Sequence, residues 1–413
     1  MRQLLFPGDA QFWFETLRVL GHAAYGGSDV GEVLAVTDRI TAGDYDSWHD
    51  AWLDAADQVA GEAARSQAAG HPVSARDGFL RASTYYRSAE FFLHGAPDDP
   101  RIEHAYRRGV DCFHAFARLS DTRIEPVRMP YQGAELHGYF YRAPGVRGPR
   151  PTLVLHNGFD GGAEEMHFFG AQAAIERGYH ALTFDGPGQP AAIHGDGLVF
   201  RPDWENVVGP VLDHLREGYD GEVDPARIGL LGVSLGGMLA PRAAAFDHRI
   251  AALIAVDGVC DASSAITDLL AMDRAEVARQ LSANDLGLES HITSAARANP
   301  TLRWALDHGR YVTGQDSATG FVSAYLDYHL GEGVAERITC PTLVCEAEQD
   351  LFFASDGANG SQPRQLYERL RCPKTLLTFT DEEGGNAHCH VGAQRLAMAR
   401  IFDWLDDALG RRA

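Results

Sequence analysis

The chain has 413 residues, 45% of them hydrophobic, and a formal net charge of −21, so it is long enough for a core domain plus an added module. The acidic balance argues against nucleic acid and against an anionic membrane as partners. The six cysteines are scattered with no C-x-x-C pair, and no stretch is long and apolar enough to span a membrane, which together favour reduced thiols in a cytoplasmic protein.

The first part of the chain is predicted to form a separate helical domain over residues 1–120. Apolar residues recur there at helical spacing in three stretches, and no strand pattern interrupts them. The first of these stretches follows Ser47, which resembles a capping box together with Asp50. A helix is therefore expected to begin at Ser47.

The pattern changes near Asp121, where short apolar runs typical of strands begin. The runs predicted to be strands are Arg123 to Met129, Glu135 to Arg142, Thr152 to Leu155, Ala181 to Phe184, Ile228 to Leu231, Ala252 to Val256, Thr342 to Cys345 and Thr375 to Phe379. The first two are expected to form a hairpin, and helical stretches separate most of the others. Residues 121–413 are therefore predicted to form an α/β domain with a mostly parallel sheet flanked by helices. The interval of about 261–337 is too long for one crossover and predicts an inserted helical lid.

The strongest local motif is the sequence GVSLG at residues 232–236, which follows the predicted strand ending at Leu231. A strand, a sharp glycine-flanked turn and a helix form the context of the nucleophile elbow in α/β-hydrolases. The motif therefore predicts an α/β-hydrolase fold with Ser234 as the nucleophile. The alternative for the motif is an ordinary tight turn.

A serine nucleophile needs a base, and the base needs a carboxylate that orients it. On this fold the carboxylate follows the serine along the chain, and the histidine follows the carboxylate. Asp350, in the loop past a predicted strand, is the expected acid, and Glu346 and Glu348 are its competitors. His388 is the expected base, with His390 as its rival. A metal site at His-Cys-His is not expected, because adjacent ligands do not all converge on one ion.

The developing oxyanion of acyl chemistry needs hydrogen-bond donors. One is expected to be the backbone N–H of Leu235, and the other the N–H of Phe159 in the glycine-rich stretch at residues 156–162. A simple connector is the alternative for that stretch. The stretch at 186–191 partly matches a dinucleotide-binding fingerprint. Its prolines are incompatible with the turn and the helix start that such a motif requires, so no nucleotide cofactor is expected.

Longer segments spread over nearly the whole chain add to these motifs. They are LHNGFDGGAEEM, TFDGPGQ, RPDWENVV, DPARIGLLGVSLGG and GNAHCHVGA, with GDYDSWHDAW and SARDGFLRASTYYRSAEFF in the helical module. Together they resemble the branch of α/β-hydrolases that includes 2,6-dihydroxypseudooxynicotine hydrolase and the fungal hydrolases that shorten polyketide chains in pigment synthesis. The helical module looks like the N-terminal cap of that branch.

By position, the resemblance implies Ser234 as nucleophile, Asp350 as acid and His388 as base. It also implies cleavage of carbon–carbon bonds next to ketones, or of esters, without a cofactor or metal and in a homodimer. An additional carboxylate is important in part of the branch, and Asp257 and Asp261 lie in the corresponding region.

The aromatic residues of the helical module, Tyr85 and Tyr86 among them, are candidates to bind a bulky, flat, mostly apolar small molecule, and the alternative is that they fill the core. The expected function is thus hydrolysis of an acyl group in a natural-product-like substrate of secondary metabolism. The alternatives are an acyltransferase or cyclase with the same triad, and a non-catalytic interaction protein on a hydrolase scaffold.

Overall fold

The computed structural model describes residues 3–145, 148–283, 285–353 and 360–410. Before residue 120 the described residues form helices and no strand. These helices are α1 (Ala10–His22), α2 (Val30–Thr37), α3 (Tyr45–Ala68), α4 (Pro72–Glu90) and α5 (Pro100–Leu119). Helices give way to strands near residue 120. The division of the chain into two domains there stays a prediction, because a change in secondary structure does not show that the two parts fold independently.

The start of α3 differs from the expectation that a helix begins at Ser47. Asp44 is the N-cap, because its carboxylate accepts hydrogen bonds from the backbone N–H groups of Asp46 and Ser47 at 3.0 and 3.2 Å. An aspartate in this position satisfies N–H groups that the first turn leaves without partners. The prediction of a capping box at Ser47 was therefore wrong.

A sheet of eight strands occupies the centre of the described chain. The strands are β1 (Arg123–Tyr131), β2 (Ala134–Arg142), β3 (Arg150–His156), β4 (His180–Asp185), β5 (Val223–Val233), β6 (Ala252–Val256), β7 (Thr342–Ala347) and β8 (Lys374–Phe379). Their order is β1-β2-β4-β3-β5-β6-β7-β8, and every pair from β4 to β8 is parallel. The hairpin β1–β2 is antiparallel and pairs with β4 in the same sense. The expected α/β fold with a mostly parallel sheet is confirmed.

Helices connect the parallel strands and fill the long interval between β6 and β7. Those before β6 are α6 (Ala171–Glu176), α7 (Pro190–Asp196), α8 (Glu205–Gly218) and α9 (Gly236–Ala244). The interval contains α10 (Ser264–Leu269), α11 (Arg274–Ser282), α12 (Leu286–Ala298), α13 (Pro300–Thr313) and α14 (Ala318–Tyr325). The chain continues with α15 (Gln362–Arg369) and α16 (Gln394–Ala408). The insertion is therefore helical, as expected.

The N-terminal helices and the insertion meet above the carboxyl ends of the strands. Phe91, next to α4, stacks on Trp304 of α13 with ring centroids 5.3 Å apart. Phe14 of α1 contacts Phe352, in the loop after β7, at 5.5 Å. Both helical parts therefore enclose the edge of the sheet where ligands bind in folds of this type. Of the helices described here, none combines the length and the apolar character needed to cross a membrane.

Candidate active site

Ser234 follows β5 in a sharply turned backbone. Its φ of 61° lies in the left-handed region, and its N–H donates to the carbonyl oxygen of Val256 on β6 at 3.1 Å. A Cβ at Gly232 would overlap the carbonyl oxygen of Gly236, so the turn requires glycine there. The turn directs the Ser234 hydroxyl away from the strand and toward His388.

His388 connects the serine hydroxyl to a carboxylate. Its Nε2 lies 2.8 Å from Oγ of Ser234, and its Nδ1 lies 2.8 Å from Oδ2 of Asp350. A carboxylate at Nδ1 favours the tautomer with hydrogen on Nδ1, which leaves Nε2 free to accept the serine proton. The other oxygen of Asp350 accepts from the N–H groups of Phe352 and Phe353 at 2.7 and 2.9 Å, which fix the carboxylate.

A second carboxylate lies beside the same ring nitrogen. Oδ2 of Asp257, at the end of β6, is 3.0 Å from Nδ1 of His388 and also accepts from the N–H of Cys389. Asp257 is fully buried and has a φ of 55°, a strained value for a residue other than glycine. Asp261, the other candidate in this region, instead pairs with Arg274 at 3.2 Å.

The charges around His388 shift its protonation equilibrium. Burial by itself lowers the pKa of His388. The negative charges of Asp350 and Asp257 raise it by more than burial lowers it, so the pKa of His388 lies well above the ordinary histidine value. Burial has the opposite effect on a carboxyl and raises the pKa of Asp257. The pairing with His388 lowers that pKa by more, so the pKa of Asp257 lies below its usual range. The site therefore favours a positive imidazolium, the state that forms when the histidine takes the serine proton.

The competing residues from the sequence have other contacts. The carboxylate of Glu346 accepts from Nε of Arg364 at 2.7 Å, and that of Glu348 accepts from the N–H of Asp381 at 2.8 Å. Nδ1 of His390 donates to the carbonyl oxygen of Gly385 at 3.0 Å. These side chains are therefore engaged away from Ser234.

Three potential metal ligands lie close together at this site. One ligand atom from each of Asp257, His388 and Cys389 falls within 4.8 Å of the others. The His-Cys-His run alone did not indicate that a carboxylate distant in sequence, Asp257, completes a compact group. The donor set is a poor one for a metal, because burial raises the pKa of the Cys389 thiol and keeps it protonated, while the carboxylate is paired with the histidine.

The two expected oxyanion donors lie on neighbouring segments. A Cβ at Gly158 would stand 2.6 Å from the backbone N of Leu235 and 2.5 Å from the carbonyl oxygen of Val233, so the loop after β3 touches the elbow. In the part of the chain that the structure describes, neither the N–H of Leu235 nor that of Phe159 donates to a protein acceptor. Both N–H groups are therefore available to a ligand.

Residues that the sequence analysis missed hold this loop. Arg18 of α1 forms an ion pair with Asp160 at 2.9 Å. The amide of Gln189 donates to the carbonyl oxygen of Gly158 at 3.1 Å, and His308 of α13 contacts the carbonyl oxygen of Phe159 at 2.8 Å. These partners come from regions distant in sequence, so only Gln189, within the segment TFDGPGQ, carried any signal.

Ser234 opens into a cavity that is lined mainly by aromatic and aliphatic side chains. The lining residues are Phe159, Asp160, Ser234, Leu235, Ala265, Ile266, Leu269, Trp304, Ala305, Tyr325, Phe352 and Phe353. Tyr85 and Tyr86 do not line it. They are buried among the N-terminal helices, where their hydroxyls donate to the carboxylates of Glu32 and Asp57.

We expect Gly158→Ala to lower kcat by about 10²- to 10³-fold, because the added methyl group displaces the loop that carries the Phe159 donor. The matched control is Gly195→Ala, since a Cβ there meets no atom within 4 Å. Steady-state kinetics of the two variants, alongside thermal unfolding, measures the effect. If kcat of Gly158→Ala equalled that of the control, the loop would not need its close approach to Leu235.

Comparisons with known proteins agree with this geometry. Residues 153–401 match the model of the "Alpha/beta hydrolase family". The chain is 35% identical to the hydrolase acrC of Aspergillus aculeatus, covering 97% of each chain, and 34% identical to the 20-hydroxy-prefusarin hydrolase of Gibberella moniliformis, covering 96% of each. The crystal structure of 2,6-dihydroxy-pseudo-oxynicotine hydrolase superposes with a TM-score of 0.71 at 22% identity, over 94% of this chain and 95% of that one. That last likeness concerns the fold.

Proposed function

The chain belongs to the alpha/beta hydrolase family and is a hydrolase, and we propose that Ser234, His388 and Asp350 form its catalytic triad. The observation that carries the proposal is the pair of 2.8 Å contacts on opposite sides of the His388 ring, at the floor of an aromatic cavity. One contact allows the histidine to take a proton, and the other stabilises the charge that it then carries.

In the proposed reaction, Oγ of Ser234 attacks the substrate carbonyl while its proton passes to Nε2 of His388. The negative charge that develops on the carbonyl oxygen is stabilised by the N–H groups of Leu235 and Phe159. The tetrahedral intermediate collapses to an acyl-enzyme as His388 returns its proton to the leaving group. Water, activated by His388 in the same way, then releases the acid and restores the serine.

The proposed substrate is a bulky, mostly apolar or aromatic molecule that carries an acyl group next to a ketone, or an ester. Trp304, Phe352 and Phe353 in the cavity wall support it, because aromatic walls bind flat apolar ligands through area and stacking. One similar protein, 34% identical over 96% of each chain, is named 20-hydroxy-prefusarin hydrolase. The homodimer implied by resemblance stays a prediction.

Carbon–carbon cleavage is compatible with the same residues that hydrolyse esters. It requires that the leaving carbanion be stabilised as an enolate and then receive a proton, which protonated His388 can deliver. Transfer of the acyl group to a hydroxyl or amine would use the same acyl-enzyme, and only the acceptor would differ. The products therefore distinguish hydrolysis from acyl transfer.

We expect the purified enzyme to cleave an aryl-substituted β-diketone to a carboxylic acid and a ketone, and to hydrolyse an aryl ester of the same acid. Dialysis against a chelator should leave both rates within about twofold, because serine, histidine and backbone N–H groups supply the chemistry. Product analysis by mass spectrometry with and without dialysis makes the measurement. Loss of activity on dialysis, with recovery on adding a metal, would contradict the mechanism, and turnover of the ester alone would assign the enzyme to the esterases.

A further inference from the structure

The cavity that contains Ser234 has few polar side chains in its wall. Apart from the nucleophile they include the carboxylate of Asp160, the indole of Trp304 and the hydroxyl of Tyr325. Tyr325 lies at the end of α14 in the insertion and is only 5% exposed. Its ring stands 5.6 Å from that of Phe159, the residue whose N–H is a proposed oxyanion donor.

Tyr325 lines the cavity, and its hydroxyl forms no hydrogen bond with any of the residues that the structure describes. Buried tyrosine hydroxyls usually find a partner, because leaving one unpaired costs free energy. Tyr85 and Tyr139 show the usual arrangement, since both donate to partly buried carboxylates at 2.6 Å. The donor of Tyr325 is therefore available to whatever fills the cavity.

We infer that the Tyr325 hydroxyl donates a hydrogen bond to the carbonyl oxygen of the leaving group in carbon–carbon cleavage, and this rests on the proposed function. The two oxyanion donors are occupied by the carbonyl under attack. A β-diketone has a second carbonyl two bonds further along, and its oxygen takes up negative charge when the bond breaks. Among the described wall residues the indole N–H of Trp304 is also unpaired, but that nitrogen is fully buried, so the Tyr325 hydroxyl is the uncharged donor that we assign to this oxygen.

The step balances as follows. When the tetrahedral intermediate collapses, the C–C bond breaks and its electron pair moves onto the leaving carbon and, by delocalisation, onto the adjacent ketone oxygen. Tyr325 donates to that oxygen and keeps its proton. His388 transfers the proton that it took from Ser234 to the leaving carbon, which gives a neutral ketone and the acyl-enzyme. Water then adds to the acyl-enzyme, so that one diketone and one water yield one acid and one ketone.

The electrostatic surroundings fit a donor that stays protonated. Burial raises the pKa of Tyr325 and the negative charge of Asp160 raises it further, so the phenol does not ionise near neutral pH. Asp160 cannot take this role. Burial raises its pKa, but Arg18 and Arg87 lower it more, so it is an anion that accepts hydrogen bonds and repels an enolate.

The test is Tyr325→Phe, which removes the hydroxyl and keeps the ring. We expect kcat for a β-diketone to fall by about 30- to 100-fold with KM changed by less than about threefold, as for loss of a transition-state donor. Hydrolysis of an aryl ester of the same acid should stay within about twofold, because a phenolate leaving group carries its charge without this donor. The ester rate also reports that the variant is folded.

Tyr328→Phe is the matched control, since Tyr328 lies in the same insertion with its ring 5.4 Å from Tyr325 and does not line the cavity. It should keep both activities. The loss in Tyr325→Phe should grow as the leaving enolate becomes more basic along a series of diketones. An equal loss of ester and diketone activity, or no loss at all, would overturn the role of Tyr325 alone. A wild-type enzyme that hydrolyses the ester and leaves every diketone intact would overturn the proposed function and this inference together.

Discussion

Ser234→Ala is expected to lower kcat by about 10⁴- to 10⁶-fold while the protein stays folded, because removing the nucleophile of a triad eliminates the covalent route. The oxyanion donors and the cavity remain, so a small residual rate is expected. Steady-state turnover measures the loss, and a fluorophosphonate probe should label the wild-type serine and leave the variant unlabelled. Equal labelling of both proteins would place the nucleophile at another residue.

His388→Ala should cost about as much as Ser234→Ala, and the double variant should lose little more, because the two residues act as one unit. His390→Ala is the matched control, since that ring donates to the carbonyl oxygen of Gly385 and lies outside contact with Ser234. Thermal unfolding of each variant separates lost chemistry from lost structure. If His390→Ala abolished turnover and His388→Ala did not, the base would be assigned wrongly.

Asp350→Asn is expected to lower kcat by about 10³- to 10⁴-fold, because an amide no longer fixes the tautomer or stabilises the imidazolium of His388. Asp257→Asn should cost only about tenfold, since Asp350 still accepts from Nδ1 at 2.8 Å. Comparing the two variants under identical conditions apportions the roles of the two carboxylates. A larger loss in Asp257→Asn would make Asp257 the principal acid.

The pH dependence gives a second measurement on Asp257. His388 must be neutral to accept the serine proton, so kcat/KM rises as pH increases through the pKa of His388 in the free enzyme. The negative charge of Asp257 raises that pKa, and Asp257→Asn removes the charge. The acidic limb of the profile should therefore lie at lower pH in the variant than in the wild type. A shift of this limb to higher pH would contradict the assignment of Asp257 as a charge partner.

Local signals in the sequence determined the fold. Every run predicted to be a strand lies within one of the eight observed strands, because apolar runs bounded by turn residues depend on neighbours along the chain. The alternation of strands with helices then gave the mostly parallel sheet, and the family match and the structural likeness confirm the α/β-hydrolase fold. The motif at residues 232–236 identified the elbow for the same reason, since strand, turn and helix are contiguous.

Only the tertiary structure decided which side chains lie beside one another. Asp257 and Asp261 are the same type of residue and lie four positions apart, yet the chain turns so that only Asp257 lies beside His388, more than a hundred positions further along. Tyr85 is an aromatic residue of the kind that often lines a pocket. It packs among the N-terminal helices instead, where its hydroxyl donates a hydrogen bond to Glu32.

The pairing of Arg18 with Asp160 likewise joins residues 142 positions apart and leaves no periodic trace. Even the start of α3 depended on whether Asp44 or Ser47 was oriented to cap it. Periodicity records which residues are buried, whereas a contact between distant segments depends on how the whole chain packs, and the active site of this hydrolase is built from such contacts.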